Sequence, residues 1–264
     1  MIFKSQTMNI NFKDAVSYLT FKEFEKYSFF KHAYSTRIGG VSENEFKSLN
    51  LGFATKDSSE KVKKNFSIFC AAFGVSEGKL AITSQIHEDE IKEVKNISKF
   101  TVFNGVDGLV TNEPEVTLAT FHADCLAVYM IDPEKKAIGL AHAGWRGTVK
   151  NIAGKLARKL ESTYGCKKEN LICALGPSIG SCCFEVSSDV TEIFRSLDIP
   201  ETYLKDGNKI DLPEVNRRLL LKEGLKDENI IKSDVCTMCF KDLLFSHRAT
   251  GGKRGTNAAF ISLV

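Results

Sequence analysis

Apolar positions recur along the chain in two rhythms. In SSEKVKKNFSIFCAAFGV, Val62, Phe66, Phe69, Cys70 and Phe73 are spaced at helical steps. Ser58 or Ser59 can cap the start and Gly74 can end it, so a helix is predicted there. GTVKNIAGKLARKLESTYG predicts a second helix, with Val149, Ile152, Ala153, Leu156, Leu160 and Tyr164 on one face and Gly165 at its end. SSDVTEIFRSL and PEVNRRLLLKEGL predict two more, opened by Ser187 or Ser188 and by Pro213. The short runs KLAITSQ, EIKEV, EVTLATF, LAVYMID, KAIGLAHA, NLICALG and NAAFISLV read as strands, and the DPEK turn joins two of them as a hairpin. Strands mixed with helices predict an α/β or α+β fold. No repeat or low-complexity linker is visible, which favours one continuous domain over residues 1–264.

Composition narrows the classes. With 264 residues, 43% of them hydrophobic, the chain can bury a core without disulfide staples. The formal net charge is +3, with Lys and Arg spread along the chain, which argues against nucleic acid as the main partner. No apolar run approaches the ~18 residues of a membrane span, and MIFKSQTMNINFKDAVSYL lacks the apolar segment of a signal peptide. The eight cysteines are irregularly spaced, with Cys182 and Cys183 adjacent, and read as free thiols in a cytoplasmic protein.

Three constellations can carry chemistry. His87 lies between two short strands, Cys125 at the start of a strand and His142 at the end of another. Two imidazoles and a thiolate suit Zn²⁺ with a fourth position open, although dispersed Cys and His are also ordinary core residues. AGWRGT is a strand-to-helix turn in which Arg146 could hold an anion and Trp145 could stack on a ring; equally, they could be a surface Arg and a core Trp. Cys125 with His142 or His122 could instead form a thiolate–imidazole nucleophile, with Asp124 adjacent but directed to the opposite side if the strand begins there. CTMC at Cys236–Cys239 is a lone CxxC, weak without a second pair, and the thiols of GPSIGSCCFEV can be buried packing.

The segments RIGGVS, LNLG, QIH, VDGLVT, ADC, AHAGWRGT, LGPSIGSCCFEV and FSHRATGGKRGTNAAFISL occur in an order that resembles the laccase-domain family. That family carries a multicopper polyphenol oxidase label and is described as zinc-dependent purine nucleoside phosphorylases of the YfiH and human laccase-domain-containing type. The resemblance spans roughly Arg37 to Val264. It implies a four-layer α/β/β/α fold with mixed β-sheets and a metal site of His87, Cys125 and His142, leaving His122 as an ordinary strand histidine. Ala127 stands where relatives often have Pro, and SHR where they often have SYR, so His247 could alter substrate preference.

The resemblance further implies phosphorolysis of adenosine, inosine, guanosine and methylthioadenosine, with adenosine deamination alongside. Zinc suits the activation of water for deamination, with Asp124, Glu88 or Asp107 as candidate proton carriers. Arg146 is the first candidate for phosphate, with Arg37 and Arg248 behind it. Two other activities are compatible with the residues. One is a hydrolase editing peptidoglycan precursors. The other is a copper oxidase of phenols, disfavoured because five histidines are too few for a multicopper centre. The oligomeric state is not legible in the sequence.

Overall fold

The computed structural model describes residues 3–264; Met1 and Ile2, the start of the stretch searched for a signal peptide, lie outside it. Two mixed β-sheets stack face to face. The first has the order β1 (Met8–Lys13), β2 (Val16–Phe21), β3 (Phe30–Ser35), β15 (Asn257–Leu263), β8 (Thr117–His122), β4 (Leu80–Ser84), β6 (Thr101–Asn104). The second has the order β14 (Ile230–Lys232), β11 (Ile172–Leu175), β9 (Leu126–Asp132), β10 (Ala137–Ala143), β7 (Gly108–Thr111), β5 (Ile91–Glu93). A short pair, β12 (Leu204–Lys205) and β13 (Lys209–Ile210), stands apart.

Alternation along β9 shows why the sheets stack. Tyr129 and Ile131 point into the core between the sheets, with Phe21, Tyr34, Leu118 and Ile261 from the first sheet. Val128 and Met130 point the other way, onto α3 (Ile152–Tyr164), where Ile152, Leu156 and Leu160 complete an outer core. A strand covered on both faces must be apolar throughout, and all seven β9 residues are buried. On the far side, α1 (Ser59–Phe73) lays Val62, Phe66, Phe69 and Phe73 against Phe260 and Ile82. The layers are therefore α/β/β/α, as the family resemblance implies.

Most predicted elements form where the pattern placed them, including the β9–β10 hairpin in full register. Asp132 Oδ1 stabilises its turn by accepting the N–H groups of Glu134 and Lys135 at 2.8 and 2.9 Å. One expectation is corrected. The helix predicted from Gly147 onward is two helices, α2 (Trp145–Val149) and α3, broken at Asn151, whose φ is 58°. The Asn151 side chain then accepts the N–H of Gly154 at 3.0 Å and caps α3. Three further helices, α4 (Ser188–Arg195), α5 (Leu212–Lys222) and α6 (His247–Thr250), complete the described chain.

A core histidine links this fold to pH. His32 on β3 is buried beside Phe21, Phe24 and Phe30, and its Nε2 accepts the Phe21 N–H at 2.7 Å. Burial lowers its pKa from 6.5 to about 3. The unfolded chain therefore takes up a proton below pH 6.5 that the folded one refuses. Its stabilising contribution is complete above that pH and falls by up to about 1.4 kcal/mol per pH unit down to the folded value. Urea titrations should show His32→Leu costing roughly 1–3 kcal/mol at pH 7, because the Phe21 N–H loses its acceptor. The variant's stability should also fall less steeply between pH 6 and 4.5, by one proton. An unchanged slope would mean that the imidazole is already charged in the folded protein.

Candidate metal centre

The chain passes from the first sheet to the second three times near one end of the stack, and two of these passages carry a candidate ligand while the third, between β6 and β7, carries Asp107. Between β4 and β5 it delivers His87; between β8 and β9 it delivers Cys125. His142 comes from β10, opposite Ala127 in the register. Gln85 ties the first crossover down by imitating a strand. Its Oε1 accepts the Phe121 N–H at 2.6 Å and its Nε2 donates to the Phe121 carbonyl at 2.9 Å. The donor atoms of His87, Cys125 and His142 all lie within 4.8 Å of one another.

Asp107 orients two of the three. Its carboxylate accepts the backbone N–H groups of Ile86 (3.1 Å), His87 (3.1 Å) and Glu88 (3.0 Å), and Nδ1 of His142 donates to it at 2.9 Å. That bond leaves Nε2 of His142 for a metal, the usual carboxylate–histidine–metal arrangement. Burial alone would push Asp107 up, but His142 and the backbone N–H groups outweigh it and hold the carboxyl below its ordinary value. Burial would likewise raise the Cys125 thiol and lower the His142 imidazole. Their mutual attraction wins, with help from His87 on the thiol and Asp107 on the imidazole. Cys125 falls to about 6 and His142 rises to about 9.

The other predicted site residues are placed differently. His122 is buried 5.4 Å from His142, ring to ring, but its nitrogens engage Thr120 Oγ1 and the Cys125 carbonyl. Asp124 has φ 84°, and β9 starts two residues later, at Leu126. Its carboxylate accepts from Thr237 Oγ1 at 2.6 Å and from the Arg248 N–H at 2.7 Å. Glu88 pairs with Lys150. Arg37 donates to the carbonyls of Lys47 and Lys241, Arg248 to those of Cys183 and Glu185, and exposed Arg146 covers the Trp145 ring.

A cavity of about 440 Å³ opens onto the three donors, within the range of small-molecule sites. Phe53, Val102 and Phe121 give it apolar walls. Its one guanidinium belongs to Arg254; Arg37, Arg146, Arg248, Trp145 and His247 do not line it. Arg254 was not singled out in the sequence, because it sits inside the glycine-rich GGKRGT stretch where one arginine carries no spacing signal. Its Nη1 donates to the Gly255 carbonyl and to Thr256 Oγ1, while its buried Nε has no protein partner.

The sequence matches, over residues 31–264, the family described as multi-copper polyphenol oxidoreductase laccase. This chain belongs to that family. Purine nucleoside phosphorylase YlmD of Bacillus subtilis is 32% identical over 242 residues, 87% of each chain. A purine nucleoside phosphorylase of Bacteroides thetaiotaomicron is 32% identical across 90% of this chain and 93% of its own. The crystal structure of the hypothetical protein YfiH of Bacillus licheniformis superposes with a TM-score of 0.89, at 32% identity, over 95% of this chain and 98% of its own.

Within this laccase-like fold, one glycine leaves room for the donors to meet. A Cβ on Gly144 would lie 3.1 Å from His87 Nδ1 and 3.2 Å from Cys125 Sγ. Its backbone, φ −67° and ψ 171°, suits any residue, so the need is for space and not for flexibility. Gly144→Ala should keep the fold, measured by circular dichroism and melting of the metal-free protein. It should weaken metal binding by roughly 10–100-fold, as loss of an orienting group does. Equilibrium dialysis against zinc tests this, and an unchanged affinity would show that the donors do not need the gap.

Proposed function

We propose that the protein is a cytoplasmic, zinc-dependent purine nucleoside phosphorylase. It cleaves adenosine, inosine, guanosine and methylthioadenosine with phosphate, and deaminates adenosine as a second activity. The observation that carries this reading is the joint placement, on one aromatic-walled cavity, of the His87–Cys125–His142 donor set and Arg254. The activity for which the relatives are named supports it. Eight free thiols suit a reducing compartment, and no helix among the described residues is long and apolar enough to cross a membrane.

Two imidazoles and one soft thiolate fit zinc, and three protein donors leave a position open, as in catalytic sites. When bound there, the ion supplies a Lewis acid next to the substrate. The apolar wall of Phe53, Val102 and Phe121 suits the purine ring. Arg254 is assigned the phosphate, in place of Arg146, Arg37 and Arg248. The guanidinia of Arg37 and Arg248 are committed to backbone carbonyls, and that of Arg146 lies outside the cavity. A planar donor facing the cavity can hold phosphate while one of its oxygens attacks the anomeric carbon and the C–N bond to the base breaks.

Cys125 and His142 act as ligands with His87, and Asp107 positions the two histidines. Asp124 is assigned a holding role, because both its oxygens are engaged at the turn before Cys125. Among the described residues the cavity wall carries no carboxylate. The proton needed by the departing base therefore comes from phosphate or water rather than from Asp124, Asp107 or Glu88.

A nucleoside panel with and without phosphate, with products identified by chromatography, tests the reading. Free base and ribose 1-phosphate should form only with phosphate, and inosine should form from adenosine without it. Cleavage confined to a peptidoglycan precursor, or oxidation of phenols by a copper-loaded protein, would replace the proposal. Arg254→Ala should raise the KM for phosphate by roughly 10–150-fold, the equivalent of one charged hydrogen bond. The nucleoside KM should change much less; equal losses on both substrates would remove Arg254 from the phosphate site.

A further inference from the structure

Four thiols that the proposed reaction does not use meet beyond the ends of β11 and β14 in the second sheet. Cys182 and Cys183 lie in the loop after β11; Cys236 and Cys239 lie in the loop after β14. The two loops are pinned side by side by a bridge between Ser178 and Cys236, with the Thr237 N–H donating to the Ser178 carbonyl at 2.9 Å. The four sulfurs all lie within 4.8 Å of one another. Cys239 Sγ stands 3.7 Å from Cys182 Sγ and 3.6 Å from Cys183 Sγ.

These separations match one metal ion. Zinc bound tetrahedrally by four thiolates at ~2.3 Å has sulfur–sulfur edges of about 3.8 Å. A polynuclear iron–sulfur cluster interposes several irons and holds its cysteine sulfurs farther apart. The surroundings also suit charged sulfur. The Gly180 N–H donates to Cys236 Sγ at 3.2 Å. A side chain at Gly180 would come within 3.3 Å of Cys182 Sγ and 3.2 Å of Cys236 Cβ, so the glycine keeps the pocket open. The Arg248 guanidinium holds the carbonyls of Cys183 and Glu185, which fixes a cation against the same loop.

We propose that Cys182, Cys183, Cys236 and Cys239 bind one zinc ion as a closed tetrathiolate, a second metal site with a structural role. The ion replaces the four thiol protons, which go to solvent, and no electron is transferred. All four positions are filled by protein, the mark of a structural zinc site. The site steadies the metal centre from behind. Thr237, between two of the ligands, donates to Asp124, and the Ile179 N–H donates to the Asp124 carbonyl at 2.9 Å. Asp124 is the turn residue before Cys125.

The full chain, expressed with zinc and purified without chelator, should carry about two equivalents of zinc by elemental analysis. Cys125→Ser should leave the tetrathiolate ion, and Cys239→Ser should remove it and lower the Tm. If Cys239→Ser does not fold, the wild-type protein still decides. Peptide mapping should show the four cysteines protected from iodoacetamide until a chelator is added, and cobalt loaded into Cys125→Ser should give the visible bands of tetrathiolate coordination. The proposal falls if zinc content is unaffected by Cys239→Ser. It falls equally if the four thiols alkylate at the same rate with and without chelator, if peptides from the two loops are disulfide-linked, or if the bound metal is iron.

Discussion

Four hydrogen bonds converge on the carboxylate of Asp107, and the geometry of the metal centre depends on them. A fully buried carboxylate without partners would be very unfavourable. Here three successive backbone N–H groups and one imidazole replace its water. The same bonds hold residues 86–88 in a tight turn, with His87 at φ 60°, and fix which nitrogen of His142 faces the cavity. One side chain thus orients two candidate ligands that arrive from different elements, while Cys125 arrives independently on the β8–β9 crossover. The charge that orients the His142 imidazole also makes it a better donor.

The seam between the sheets explains why the centre lies where it does. A residue in the middle of β9, such as Val128 or Tyr129, is packed against a helix layer or the facing sheet, with no room for a metal, whereas His142 lies one residue from the end of β10. Where the chain leaves one sheet for the other, the backbone turns sharply and side chains face open space. Asp124, at φ 84°, marks such a turn, and its carboxylate is held from two distant segments through Thr237 and Arg248. Rigid strand ends on either side keep these loops from wandering, which suits a site whose ligands must meet closely.

Periodicity made most elements legible in the sequence. The caps of α1 and the double-sided burial of β9 and β10 follow from local spacing, because tertiary structure there agrees with local preference. The break at Asn151 was hidden for the same reason, since Val149 and Ile152 continue the apolar rhythm through it while one left-handed residue interrupts the backbone. The three metal donors were recognised through their motifs, not through their spacing, which carries little information when ligands lie on separate crossovers. Arg146 and Arg254 show the converse. The first stands in a conspicuous motif yet does not line the cavity, and the second is inconspicuous in a glycine-rich tail yet lines it. CTMC looked isolated because its partner pair is adjacent in space through the Ser178–Cys236 bridge and distant in sequence.

The two thiolate clusters differ in what a metal must displace. At the first, attraction to His142 and His87 overcomes burial and lowers the Cys125 thiol, which favours the thiolate form that a metal takes. His142, raised to about 9, carries the compensating proton. Its Nδ1 hydrogen stays with Asp107, so Nε2 is the nitrogen that would hold a metal. At the second cluster, burial and neighbouring thiols push Cys182, Cys183 and Cys239 up to about 11, so an ion there must expel several protons. Four thiolate bonds in a closed site can offset that cost, which suits a metal that stays in place. An open site with three donors offers fewer bonds in total, and its lowered thiol would favour binding while one position remained for substrate.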